Sequence, residues 1–243
     1  LLPPRADVVS VAKGLCERSH RRMSEIAAAC LGLPEVAALS GPSHAEEVAR
    51  GIPTAVVVAA REPALANRLQ QRFSGRRFRV YTSDDPVGVE LGGAVKNVIA
   101  LAVGISDGLG FGDNTRAALI TRGLAEITRL GVALGAHPAT FAGLSGMGDL
   151  VVTCTSRHSR NRSVGERLGR GEPLAAIQQG MAQVAEGVWN CPIALALAAE
   201  QGVDLPSARQ VGAVLAGTTA PGEAVAALME RDAKPERCPS TAP

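Results

Sequence analysis

The sequence predicts a two-part fold, a small α/β sheet followed by an all-helical region, and three observations point there. Short apolar runs rich in Val and Ala alternate with helical patterns as far as about residue 83, the signature of a mostly parallel sheet with right-handed crossovers. Beyond residue 83 strand signals largely vanish and long helical segments take over. Hydrophobic residues make up 46% of the chain but aromatics only 2%, which favours helices packed through Ala, Val, Leu and Gly over an aromatic-rich β-sandwich. The reading divides the chain into 1–83, 84–231 and a tail over 232–243, rich in Pro and charge, that reads as disordered.

In chain order, Asp7 to Ala12 reads as a short buried strand, with Lys13-Gly14 at its carboxyl end, where ligands gather in open α/β sheets. Glu17 to Leu31 reads as a helix, with Met23, Ile26, Ala27 and Cys30 along one face. Val36 to Ser40 is a second strand that runs into Gly41-Pro42-Ser43-His44-Ala45-Glu46. There Ser43 is expected to cap a helix with Glu46 as its box partner, and the strand–turn–helix junction suits an anion or a dinucleotide. Ala55 to Ala60 is a third strand, Glu62 to Phe73 a helix and Phe78 to Tyr81 a fourth strand.

The helical part opens on Asp84-Asp85-Pro86, a capping acid followed by proline in the first turn. From Val87 to Ile105 the chain is almost wholly apolar, yet it carries Lys96 beside Asn97, with Gly92-Gly93 one turn earlier. Lysine is rarely buried without a partner or a purpose, so Lys96 either snorkels to the surface or points into a site. Low-dielectric surroundings lower a lysine's pKa and suit it to proton transfer. A Gly-rich loop at 107–113 closes this helix. Further helices are expected from Asp113 to Gly135, at Pro138, from about Asn161 to Arg170, from Pro173 to Gln179, from Val188 to Gln201, from Pro206 to Leu215 and from Pro221 to Glu230.

Two polar stretches stand out among these helices. Gly143-Leu144-Ser145-Gly146-Met147-Gly148 lets backbone pack tightly and positions Asp149. The segment Thr153 to Arg162 is polar and basic, and its Ser159-Arg160-Asn161 supplies the donors that a phosphate monoester needs, with a helix N-terminus behind them.

Composition narrows the function classes. A net charge of +2 argues against a nucleic-acid partner. Five cysteines, odd in number and without CxxC or metal-like spacing, indicate reduced thiols in the cytoplasm rather than a disulfide framework or a metal site. Gly, Lys or Asp interrupts each apolar run, so membrane insertion is not expected. The G-x-G-x-G at 108–112 follows a helix, so it is not a dinucleotide fingerprint.

Four stretches taken together resemble one family: Val11-Ala12-Lys13-Gly14, Leu39-Ser40-Gly41-Pro42-Ser43-His44-Ala45, Lys96-Asn97 with the Gly-Asp-Asn at 112–114, and Gly148-Asp149 through Arg160-Asn161-Arg162. The set is similar to bacterial NAD(P)-dependent glycerol-3-phosphate dehydrogenases over about residues 5 to 230. The resemblance implies a partial Rossmann-like parallel sheet followed by a helical substrate and catalytic domain. It implies NAD or NADP as cofactor, a small phosphate ester as substrate, and a homodimer. Lys96 would be the proton acceptor in oxidation, with Asp149 tuning it. Lys13, Gly41, Ser43, Lys96, Asp149, Ser159, Arg160 and Asn161 would contact substrate, and Lys13, Ala45, Arg160, Val184 and Glu186 cofactor. The family's glycine-rich phosphate loop is missing, so the chain is expected to be a fragment that binds NAD(P)H poorly on its own. Two other readings remain: a dehydrogenase of another hydroxy acid or phosphate, and a non-catalytic helical dimerisation module.

Overall fold

The computed structural model describes residues 6–181, 185–233 and 235–236. Four strands, β1 (Val9–Ser10), β2 (Ala37–Ser40), β3 (Thr54–Ala59) and β4 (Phe78–Ser83), lie side by side in sequence order. The β1–β2 and β3–β4 pairs are parallel, whereas β2 and β3 run antiparallel, so the sheet is mixed and only mostly parallel. The antiparallel strands β2 and β3 are joined through residues 41–53, which carry the five-residue helix α2 (Ala45–Ala49). The first strand is shorter than expected and the first helix starts later. Residues 17–19 form a turn between the bridged Leu15 and Arg22, His20 lies in the left-handed region, and α1 (Met23–Leu31) follows. Helix α3 (Pro63–Phe73) packs Leu65, Ala66 and Leu69 onto Val56, Val58 and Val80 of the sheet.

All four strands precede residue 84, and the chain beyond is helical among the described residues. The centre is α4 (Pro86–Gly108). Asp85 caps it by accepting from the Gly88 amide at 2.8 Å, and Pro86 occupies the first turn, as the sequence signals require. Asp85 also accepts from the His137 amide and the Thr140 hydroxyl, at 2.9 and 2.6 Å, which ties this cap to α6 (Pro138–Phe141). By length and composition α4 could cross a membrane, yet its apolar stretch is entirely buried within the fold.

Around α4 stand α5 (Asp113–Ala133), α7 (Asp149–Thr155), α8 (Arg160–Gly169), α10 (Glu186–Glu200) and α11 (Pro206–Leu215), with α9 (Leu174–Gln179) and α12 (Pro221–Met229) outside them. The closest approach is between α4 and α8. A Cβ on Gly104 would overlap the carbonyl oxygen of Arg162, one on Gly108 that of Glu166, one on Gly165 that of Leu101 and one on Gly169 that of Ile105. Glycines four apart on both helices thus bring the two backbones into contact. Most of the tail expected to be disordered, 234 and 237–243, lies outside the described residues.

Candidate active site

Lys96 does not snorkel. It is 4% exposed, its Nζ donates to Thr153 Oγ1 at 2.8 Å, and it forms an ion pair with Asp149 Oδ1. The acid reaches this point because Leu144–Gly148 forms a π-helical turn that presses against α4. Gly92 admits this approach, since a Cβ there would lie 2.7 Å from the Ser145 carbonyl oxygen. Thr153 completes the set by donating its hydroxyl to the Asp149 carbonyl at 2.6 Å, leaving its oxygen lone pairs to Lys96.

A second amine shares the same carboxylate. Lys13 Nζ lies 2.9 Å from Asp149 Oδ2 and donates to the Gly41 carbonyl at 2.9 Å. Its own backbone carbonyl accepts from Asn190 Nδ2 at 3.2 Å and from Asn97 Nδ2 at 3.4 Å, so the end of β1 is fastened to α10 and α4. One buried carboxylate therefore balances two ammonium groups. Burial disfavours the charged form of Lys96, the Asp149 carboxylate opposes that, and the Lys13 ammonium adds to it. The balance brings Lys96 down to about 8. Such a lysine exists in both protonation states near neutral pH, which a proton acceptor and donor requires.

The β2–α2 turn forms the adjoining wall. Gly41 adopts φ 140°, in the region that favours glycine, and its carbonyl accepts from Ser43 Oγ at 2.9 Å as well as from Lys13. The expected capping box from Ser43 to Glu46 is absent. The serine hydroxyl is taken up within its own turn, and His44 rather than Ser43 occupies the cap position before Ala45.

The third wall is α8. Ser159 caps it, accepting from the Arg162 amide at 3.2 Å, so its side chain serves the helix in this arrangement. Asn161 is buried, donating from Nδ2 to Asn97 Oδ1 at 3.0 Å and accepting from the Gly187 amide at 2.8 Å. Asn97 in turn donates to Glu186 Oε2 at 3.1 Å. Asn97, the neighbour of Lys96, thereby links α8, the start of α10 and the end of β1. Arg160 stands exposed on the first turn of α8, next to Asn161, while Arg162 turns away to Asp107 at 2.7 Å.

Lys96, Asp149, Lys13, Gly41 and Ser43 are thus joined directly, and Asn161 and Glu186 join them through Asn97. Val184 lies outside the described residues. The sequence reading missed Thr153 and Asn190, neither of which has a local signature. It also missed the paired Gly-x-x-x-Gly at 104–108 and 165–169, which the spacing does display. Among the described residues no group of His, Cys, Asp and Glu could hold a metal ion.

Comparison with known proteins places the chain in a family. Residues 1–66 match the family model for the N-terminus of NAD-dependent glycerol-3-phosphate dehydrogenase, and residues 85–226 match the model for its C-terminus. The glycerol-3-phosphate dehydrogenase [NAD(P)+] of Moorella thermoacetica is 54% identical over 95% of the chain and 68% of its own length. That of Desulfitobacterium hafniense is 51% identical over 97% of the chain and 67% of its own length. The crystal structure of glycerol-3-phosphate dehydrogenase from Coxiella burnetii superimposes with a TM-score of 0.90 at 44% identity, covering 95% of this chain and 71% of that one. The Saccharomyces cerevisiae enzyme superimposes at 0.81 and 26% identity, covering 91% and 67%. On the family models and these relatives, the chain belongs to the NAD-dependent glycerol-3-phosphate dehydrogenase family.

Proposed function

We propose that this chain supplies the substrate-binding and catalytic residues for interconverting sn-glycerol 3-phosphate and dihydroxyacetone phosphate, with Lys96 as the group that moves the hydroxyl proton. The observation that carries the reading is the buried Lys96–Asp149–Lys13 set. In oxidation the neutral Lys96 amine accepts the proton of the C2 hydroxyl as the hydride leaves C2, and in reduction the ammonium returns it. Asp149 steadies the charge that appears on Lys96 and keeps the amine aimed. Lys13, fastened at its carbonyl, holds Asp149 from the other side and offers its ammonium to a substrate oxygen.

The bound nicotinamide, NAD or NADP, supplies or takes up the hydride. Ser40 Oγ is buried and has no partner among the described residues, and Gly93 faces it without a side chain. Lys13, Ala45, Arg160 and Glu186 would hold the cofactor on this side of α4. Ser159, Arg160 and Asn161 take the phosphate, Arg160 through its forked, always charged donors. The family resemblance supports a homodimer, which sedimentation would establish. The reduced thiols support a cytoplasmic location.

Calorimetric titration of glycerol 3-phosphate and of glycerol tests the phosphate assignment. Arg160→Ala should weaken the phosphate ester by about 10-fold or more, the worth of hydrogen bonds to a charged group, and leave glycerol unchanged. Equal loss for both ligands would remove the assignment, and with it the preference over a dehydrogenase of some phosphate-free hydroxy acid.

A further inference from the structure

His44 has no part in the chemistry described so far, yet its placement is unusual. It stands between Ser43 and Ala45 at the start of α2, and its Nε2 is buried without a hydrogen-bond partner among the described residues. An unpaired buried ring nitrogen is costly unless something else completes it. Ser40 Oγ, on the same β2–α2 turn, is also buried and unpaired, so this turn presents two unfilled polar atoms. The His44 ring packs beside the ring of His158, with centroids 6.1 Å apart and planes tilted by 54°, and His158 directly precedes Ser159 and Arg160.

The charges around His44 locate it between the two halves of the site. Lys96, Lys13, Asp149 and Glu46 all act on its imidazole, while His44, His158 and Arg160 together act on Glu46. A substrate whose hydroxyl lies at Lys96 and whose phosphate lies at Arg160 passes alongside this ring. Burial, helped by the two ammonium groups, lowers the imidazole's pKa, so the ring is neutral at pH 7 and carries one N–H.

We propose that His44 is a further substrate-binding residue whose Nε2–H donates to a phosphate oxygen of bound glycerol 3-phosphate. The assignment rests on the glycerol phosphate reading above and adds to it a donor from the β2–α2 turn, facing those of α8. The phosphate would then be held from both walls, and the buried nitrogen would gain the partner it lacks.

The test compares His44→Phe, His44→Gln and His44→Asn by calorimetric titration with sn-glycerol 3-phosphate and with glycerol. Gln can set an N–H where imidazole Nε2 stands, whereas Asn reaches only as far as Nδ1 and Phe offers no donor. Phe and Asn should each weaken glycerol 3-phosphate by about 10-fold, as loss of a hydrogen bond to a charged group does, while Gln stays within about threefold of wild type and glycerol is unaffected. Thermal unfolding of each variant identifies any that fails to fold, and the Gln–Phe comparison stands on the folded ones. Binding by Phe equal to wild type, or by Gln no better than by Phe, would overturn the assignment while leaving the glycerol phosphate reading intact. Absence of glycerol 3-phosphate binding in wild type would instead overturn that reading and this assignment together.

Discussion

Gly165→Ala is the sharpest probe of how the phosphate wall is held against the lysine helix. A Cβ at residue 165 would overlap the Leu101 carbonyl oxygen and lie 2.9 Å from the Ile105 nitrogen and 3.0 Å from Gly104 Cα. All three obstacles belong to the backbone of a buried helix, so no side chain can rotate away and α8 must move off α4. Overpacking of this kind costs about 1–3 kcal/mol, partly offset by the roughly 0.5–1 kcal/mol that alanine gains over glycine within a helix. With three backbone obstacles the cost lies at the upper end of that range, so the net loss of about 2–2.5 kcal/mol should lower the midpoint of thermal unfolding by about 4–10 °C for a chain of this size. Gly222→Ala in α12, where a Cβ meets nothing within 4 Å, is the control and should be neutral or slightly stabilising. Circular dichroism melts read both. Calorimetry should also show weaker glycerol 3-phosphate binding for Gly165→Ala, because Ser159, Arg160 and Asn161 travel with α8. Equal midpoints for the two variants would refute the backbone contact between α4 and α8.

Two further outcomes follow from charge. In Asp149→Asn the group that raises the Lys96 pKa is gone while burial and Lys13 still lower it, so Lys96 should titrate below its wild-type value in NMR of 13C-labelled lysine; an unchanged or higher value would contradict the pairing. Glu126 is buried and accepts from the Ser207 and Ala208 amides at the start of α11, at 2.9 and 3.3 Å. Burial raises its pKa above the ordinary 4.5, so its contribution to stability is fully present below that value and lost as pH rises through the folded pKa. Urea unfolding of Glu126→Gln from pH 4 to 7 should show a flatter fall of stability with pH than wild type, and identical slopes would remove Glu126 as the cause.

What the sequence makes legible here is what local chemistry decides. The Asp85-Pro86 start of α4 follows from capping and from proline's fixed φ, and each is seen where the residues place it. A lone lysine in an apolar helix raised two possibilities, and only its burial against Asp149 chose between them. The direction of β3 was not legible, because a strand pattern reads the same in either orientation. The Ser43–Glu46 box satisfied the spacing rule but lost to a shorter bond from Ser43 back to Gly41. Thr153 and Asn190 act across 57 and 177 residues of chain, on Lys96 and Lys13, and no local pattern encodes partners so distant.

The central claim is that one buried lysine, shared between an acid and a second amine, titrates within reach of neutral pH. An NMR titration of lysine εCH2 signals, with Lys96→Met to assign the resonance, measures this directly. The Lys96 signal should titrate near the value of about 8 set by its surroundings. A Lys96 signal that titrates with the other lysines, at the ordinary value of about 10.4, would contradict it.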